Sequence, residues 1–193
     1  TNITQLTTEA ASMTVPLPVH ATDDLLLVFL AKDAVRSGTW SETASTGWTI
    51  GGNLDNATGG CNLMWAYKKA TSASETNPNF SQTDADSMIA VAISVKGVHT
   101  TTPIDVSGGN GAVTTGSGKE TITGLTTVNA NALCFYTLGD SIGVGPTPEP
   151  GIQTVIADDT ASVGLGVGWS IKKTAGTAPN HVFYCNTGAA LNG

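Results

Sequence analysis

The chain uses one phrase twice. Trp65-Ala66-Tyr67-Lys68-Lys69 is followed by a polar stretch and Pro78-Asn79-Phe80, and Trp169-Ser170-Ile171-Lys172-Lys173 by a shorter polar stretch and Pro179-Asn180. The two tryptophans stand 104 positions apart, and each copy is preceded by an apolar run, Leu25 to Ala31 in one case and Ala132 to Leu138 in the other. A phrase that returns with its surroundings points to a duplicated strand plan, so the fold must be one that can be built twice.

The local pattern says which kind of element is duplicated. Cys61 to Lys69 alternates, with Leu63, Trp65 and Tyr67 on one face and Asn62, Met64 and Ala66 on the other, which predicts a strand. Leu25 to Ala31 is apolar on both faces, as a central strand covered on each side would be. Met88 to Val95 returns as a strand with Ile89, Val91, Ile93 and Val95 together. In the second half, strands are expected near 119–124, 132–138, 152–157, 162–172 and 181–186, and no interval shows helical periodicity beyond two turns. With 23 Gly, 40% hydrophobic and only 12% charged residues, the chain has the turns for short strands and enough apolar surface for a core. The expected fold is all-β: an antiparallel β-sandwich, jelly-roll-like, with a pseudo-duplicated strand plan. We expect one domain over residues 1–193, with pseudo-repeats at about 15–98 and 119–186 joined by a Gly/Ser/Thr-rich surface loop at 100–118.

Charge and reactive residues narrow the function. A net charge of -7 argues against nucleic acid, because binding phosphates needs clustered Lys and Arg. No run of eighteen apolar residues predicts a membrane span, and no signal peptide is recognised. Cys61, Cys134 and Cys185 sit in strand-like runs, an odd count that fits buried thiols made in a reducing cytoplasm. His20, His99 and His181 show no ligand spacing, so neither metal nor cofactor is expected. No Gly-x-Ser-x-Gly elbow appears, and no catalytic residue is assigned. The carboxylates Asp23-Asp24, Asp84 with Asp86, and Asp158-Asp159 read as turn formers; calcium could use such groups, but there is no twelve-residue calcium loop. The Lys-Lys pairs at 68 and 172 read as guards that keep strand ends soluble.

Two surfaces stand out. Val163-Gly164-Leu165-Gly166-Val167-Gly168-Trp169 alternates so that one strand face carries Gly164, Gly166 and Gly168 alone. Bare backbone of this kind needs a cover, either a segment of the same chain or a neighbouring subunit, and the three glycines are the candidate subunit interface. Trp40 and Trp48 stand at loop edges, as hydrophobic lids or as platforms on which a sugar could stack, together with the Pro-rich loop at 143–151.

Several phrases carry a resemblance: Asp24-Leu25-Leu26-Leu27, Gly47-Trp48-Thr49, Trp65-Ala66-Tyr67-Lys68, Val95-Lys96-Gly97-Val98 with Pro103-Ile104-Asp105, and Asn131-Ala132-Leu133. In this order, spanning about Val15 to Tyr184, they make the chain resemble a family of β-sandwich proteins of bacteriophage virions and bacterial prophage regions. The resemblance implies a virion component on the capsid surface or in the tail, with no catalytic residues to carry over. Such proteins typically close with a further apolar strand, where this chain has Ala189-Ala190-Leu191-Asn192-Gly193. The leading expectation is therefore a non-enzymatic capsid decoration protein, a symmetric homo-oligomer located in the virion. Its expected partners are other copies of itself and major capsid or tail proteins. The alternative is a carbohydrate- or receptor-binding module of a tail fibre, with a host surface glycan as ligand; a glycan depolymerase is a distant third.

Overall fold

The structure, a computed structural model, describes residues 2–5, 10–33, 39–55, 60–108, 118–141, 146–150, 153–158, 162–184 and 191–192. Among them are seventeen strands and no helix. The first half contributes β1 (Asn2–Gln5), β2 (Ala10–Thr14), β3 (Leu25–Asp33), β4 (Ser41–Glu42), β5 (Thr49–Asp55), β6 (Cys61–Lys69), β7 (Asn79–Asp86) and β8 (Met88–Val95). The second contributes β9 (Lys119–Ile122), β10 (Thr126–Thr127), β11 (Ala132–Asp140), β12 (Thr147–Pro148), β13 (Gln153–Asp158), β14 (Gly164–Lys172), β15 (Gly176–Thr177), β16 (His181–Tyr184) and β17 (Leu191–Asn192). The protein is all-β, and its sheets are antiparallel.

The duplication seen in the sequence is written into the strand order. In the first half, β8-β3-β6-β5 form one row, extended beyond β8 by β1, and β2-β7-β4 form another. In the second half the rows are β17-β11-β14-β13 and β9-β16-β12, the same order strand for strand. Registers match too: Phe29 stands opposite Trp65 across β3 and β6, and Phe135 opposite Trp169 across β11 and β14. Among the described residues, β1 and the short β10-β15 pair lack a strand counterpart.

Period-two alternation then decides how the rows stack. The odd-numbered residues of β3 turn Leu25, Leu27, Phe29 and Ala31 into one core cluster with Leu63, Ile89, Val91 and Ile93, and this cluster includes Val163, Leu165 and Val167 from the other half. The even-numbered residues Val28 and Leu30 join Met64, Ala66, Met88 and Ala90 against Met13, Trp40 and Phe80. On the far side, Tyr136 and Leu138 pack on Phe183. The two long rows thus face each other as inner sheets, and each shorter row covers the back of its own half. Burial of β3 on both faces from Leu25 to Lys32 follows from this central place. Phe183 is fully buried, whereas Trp65, Phe135 and Trp169 are only half-buried at the inner-sheet interface.

The glycine face of β14 finds its cover within the chain. Gly164, Gly166 and Gly168 are buried, opposite Asp140, Leu138 and Tyr136 of β11. A Cβ on Gly166 would run into the Pro146 carbonyl and come 3.1 Å from the Phe183 ring. At Gly166 the bare backbone is therefore a seat for Phe183 of β16 and for Pro146 just before β12, so at this glycine of the candidate subunit interface the cover comes from the chain itself. Gly166→Ala should cost about 1–3 kcal/mol, as other overpacked cores do, measured as a lower urea midpoint at unchanged slope.

Lys68 also departs from expectation. It is no solvated strand-end guard but a buried cation on Glu75 at 2.6 Å, with the two side chains only 9% and 6% exposed. Glu75 Oε1 accepts further hydrogen bonds from Thr71 N, Thr71 Oγ1 and Ser72 N. Burial favours the neutral acid, but the Lys68 ammonium and the Thr71 and Ser72 donors outweigh it and hold Glu75 at about 2 against an ordinary 4.5. A depressed acid stabilises the fold above its unfolded pKa and loses that contribution as pH falls through the folded one. Glu75→Gln is therefore expected to cost on the order of 3 kcal/mol at neutral pH, where it strands Lys68. The deficit should narrow between pH 4.5 and pH 2 in urea unfolding followed across that range.

Candidate functional site

The inner sheets meet as a wedge. At one end Gly139 of β11 lets them close: a Cβ there would lie 3.0 Å from Cys61 Sγ and 3.2 Å from Ala31 Cβ. Midway, the equivalent residues Phe29 and Phe135 touch at 5.6 Å between ring centroids. Beyond them, toward the starts of β3 and β11, the sheets part around a cleft of about 1150 Å³ whose walls include Leu27, Phe29, Trp65, Leu133, Phe135 and Ile171.

Trp65 is laid flat against its own sheet by a bulge in β5. The β5–β6 register shifts between Ile50 and Gly52, so Gly51 and Gly52 together oppose Trp65. Neither has a side chain, and a Cβ on either would strike the indole, 2.5 Å from Cε2 for Gly51 and 2.7 Å from Nε1 for Gly52. Tyr67 continues the aromatic surface, 5.5 Å from Trp65 and inclined by 19°.

One side of the cleft is closed by the segment that follows β8. Val98 and Ile104 pack against the inter-sheet core. Asp105 fastens the segment to the turn before β11: its Oδ2 accepts from Val128 N at 2.8 Å and Asn129 N at 3.1 Å, and its Oδ1 from Asn129 Nδ2 at 2.6 Å. These donors, the Asn129 backbone first, hold the Asp105 carboxyl below its usual range against some desolvation. His99 Nδ1 accepts from Thr102 N at 3.1 Å and shapes the same connection.

The two halves differ in what lies over the open end. Leu27 faces Tyr67 in the first half, and Leu133 faces Ile171 at the matching place in the second. Leu27 is 3% exposed, but Leu133 is 37% and Ile171 67% exposed, with Leu125 and Val128 also open nearby. Sequence reasoning missed this patch. Its signal was present in the repeat, which aligns Ile171 with Tyr67, but exposure depends on a connecting segment that only the structure locates.

The residues proposed for sugar stacking lie elsewhere. Trp40 is 2% exposed, in the cluster with Met13, Met64 and Phe80, and carries Lys32 Nζ 5.9 Å from its ring centroid. Trp48 is half-buried and meets Phe80 edge-on at 5.7 Å. Trp40 offers no open ring face, which corrects the stacking role assigned to it, and neither tryptophan lines the cleft. Of the 143–151 loop, residues 146–150 are described, with Pro146 and Pro148 buried and Glu149 bonded to His181 Nδ1 at 3.1 Å; the rest lies outside the described residues, as does Cys185.

The remaining carboxylates serve local structure. Asp23 pairs with Lys69 at 2.8 Å, and Asp24 Oδ2 accepts from Ala21 N at 2.8 Å. Asp84 and Asp86 flank Lys32, whose Nζ donates to the Asp84 carbonyl; burial lowers the Lys32 pKa, and the two carboxylates oppose that shift. The Asp158 side chain and Asp159 lie outside the described residues. At the closed end of the wedge, Asp33 pairs in register with Cys61. Burial and then Asp86 raise Asp33 to about 6 from 3.8, against a hydrogen bond from Ser162. Burial, Asp140 and Asp33 push the Cys61 thiol well above its ordinary range, which makes it a poor nucleophile. Among the described residues no group of three or more His, Cys, Asp or Glu could hold a metal ion.

Compared with known protein families, curated proteins and solved structures, the chain has no significant match.

A raised carboxyl contributes most when protonated, so the Asp33 contribution is present below pH 3.8 and is lost as pH rises through about 6. Discounted for its half-exposed position, the loss is roughly 1–2 kcal/mol. Asp33→Asn should remove that slope, leaving the variant more stable than the parent at pH 7 in urea unfolding and close to it at pH 4.

Proposed function

We propose that this chain is a structural protein of a bacteriophage particle, a capsid decoration protein that acts by packing against neighbours rather than by catalysis. The observation that carries the reading is the set of exposed apolar side chains, Leu133, Ile171 and Leu125, that line the inter-sheet cleft. Exposed apolar surface at the mouth of a cleft is a common mark of a protein contact. The polar groups around it have structural work: Asp105 and His99 hold the connecting segment in place. The particle comes from the resemblance read in the sequence phrases alone, and the two-fold repetition of the strand plan suits a coat component that must meet several neighbours. On this reading the chain is made in the host cytoplasm and assembled on the particle surface with other copies of itself and major capsid or tail proteins. The glycan-binding alternative has lost its platform at Trp40, which is core.

Antibody labelling of purified particles, imaged by electron microscopy, tests the assignment. Label regularly spaced over the head is expected; label absent from both head and tail would end it. Light scattering of the isolated chain should show a symmetric oligomer when it is concentrated or mixed with particles.

A further inference from the structure

We propose that Lys32 and Asn62 are the two ends of an intramolecular isopeptide bond, formed when the Lys32 amine displaces ammonia from the Asn62 carboxamide. The site lies on the face of β3 turned away from the cleft and is independent of the assembly role.

Register brings the pair together. Lys32 of β3 stands directly opposite Asn62 of β6, so the two side chains rise from one face of the sheet with Cβ atoms about 4.5–5.5 Å apart, as in any such pair. Both residues are wholly buried. Their face is the one on which Val28, Leu30, Met64 and Ala66 pack against Trp40 and Phe80. Lys32 Nζ is held between the layers: it donates to the Asp84 carbonyl of β7 and lies 5.9 Å from the ring centroid of Trp40, which is itself 2% exposed.

Duplication shows how unusual the pair is. The same places in the second half are held by Leu138 and Gly166, opposite each other on β11 and β14, with Phe183 of β16 where the first half has Gln82 of β7. An apolar filling therefore satisfies this layer of the fold. A lysine and a carboxamide put there for packing alone would bury polar groups at a loss of stability. What they add is a nucleophile and an electrophile side by side.

The surroundings suit the reaction. Burial lowers the Lys32 pKa against the opposing charges of Asp86 and Asp84, which leaves more of the amine unprotonated. Held opposite its target, that amine needs no encounter step. The Nζ lone pair attacks Asn62 Cγ, the Cγ–Nδ2 bond breaks, and Nδ2 leaves as ammonia with a proton given up by Nζ. Asp86, the carboxylate that acts most on Lys32, carries the proton from one nitrogen to the other. No oxidant, reductant or further reactant is consumed. Trp40, Met64 and Met88 then keep the new amide out of water.

Intact-mass spectrometry of the denatured full chain tests the bond. The parent should weigh about 17 Da less than its sequence, the mass of the ammonia lost to the lysine nucleophile. Protease digestion should release a branched peptide that joins the Lys32 and Asn62 segments. Lys32→Leu and Asn62→Gly copy the second-half pair and should fold, as followed by circular dichroism, and keep their full mass. Asn62→Asp should lose water in place of ammonia, about 18 Da by the same attack on a carboxyl group. A parent at full mass overturns the proposal whether or not the variants fold. So does an ammonia loss that persists in Lys32→Leu, which would mark an asparagine cyclised on its own backbone, or a branched peptide that joins Lys32 to Gln82.

Discussion

The structure depends on the contact between its two inner sheets. Each half has one row of strands apolar on both faces, and such a row cannot be left open to water on either side. The short row of its own half covers one face; the other half covers the second. Leu27, Phe29, Leu63 and Val91 from one half and Leu165 and Val167 from the other share a core, and each fully buried side chain of this size contributes about 1.5–3 kcal/mol. Phe29 and Phe135 hold equivalent places in the repeat and touch each other, which is the signature of an isologous contact. Two copies of one plan are joined here about a pseudo-two-fold axis within a single chain.

The halves preserve the plan while exchanging volumes. In the second half, glycine at 166 meets a full ring from Phe183, so a missing side chain on one layer is matched by a large one on the next. At the equivalent places of the first half stand Asn62 and Gln82, both buried and both of middling size. The same exchange explains the aromatic surface at Trp65, where two glycines in a bulge make room for an indole lying flat. At Gly51, Gly52, Gly139 and Gly166 glycine acts as a packing device, making room for a neighbouring side chain or backbone.

Much of the fold was legible because period two is a strong signal. The alternation of Cys61 to Lys69 and the double-sided run Leu25 to Ala31 located β6 and β3, and the repeated Trp phrase located β14 as the counterpart of β6. Short strands such as β4, β12 and β15 left no such trace, because two residues carry no period. Side-chain fate was legible only where one strand decided it. Trp40 looked like a loop-edge residue, yet a neighbouring layer built from Met13 and Phe80 draws it fully inside. Lys68 looked like a solvated strand end, yet Glu75, seven positions on, returns over it. Both cases are tertiary: the covering element is remote in sequence or hidden in an irregular turn, and no local pattern reports it.

Duplication also gives the exposed patch its meaning. An isolated open leucine or isoleucine is ordinary, since apolar atoms make up much of any protein surface. Here each open residue has an equivalent in the other half whose surroundings are known. Leu27 is covered and Leu133 is not, although the strands beneath them pair in the same order and register. The segment after β8 packs Val98 and Ile104 against the shared core, and Asp105 ties it to the turn before β11. Both inner faces line one cleft, but Leu27 is buried there while Leu133 and Ile171 keep much of their surface open. An exposed pair whose equivalent leucine in the other half is buried is more than surface noise, because the same strand plan closes one and leaves the other open.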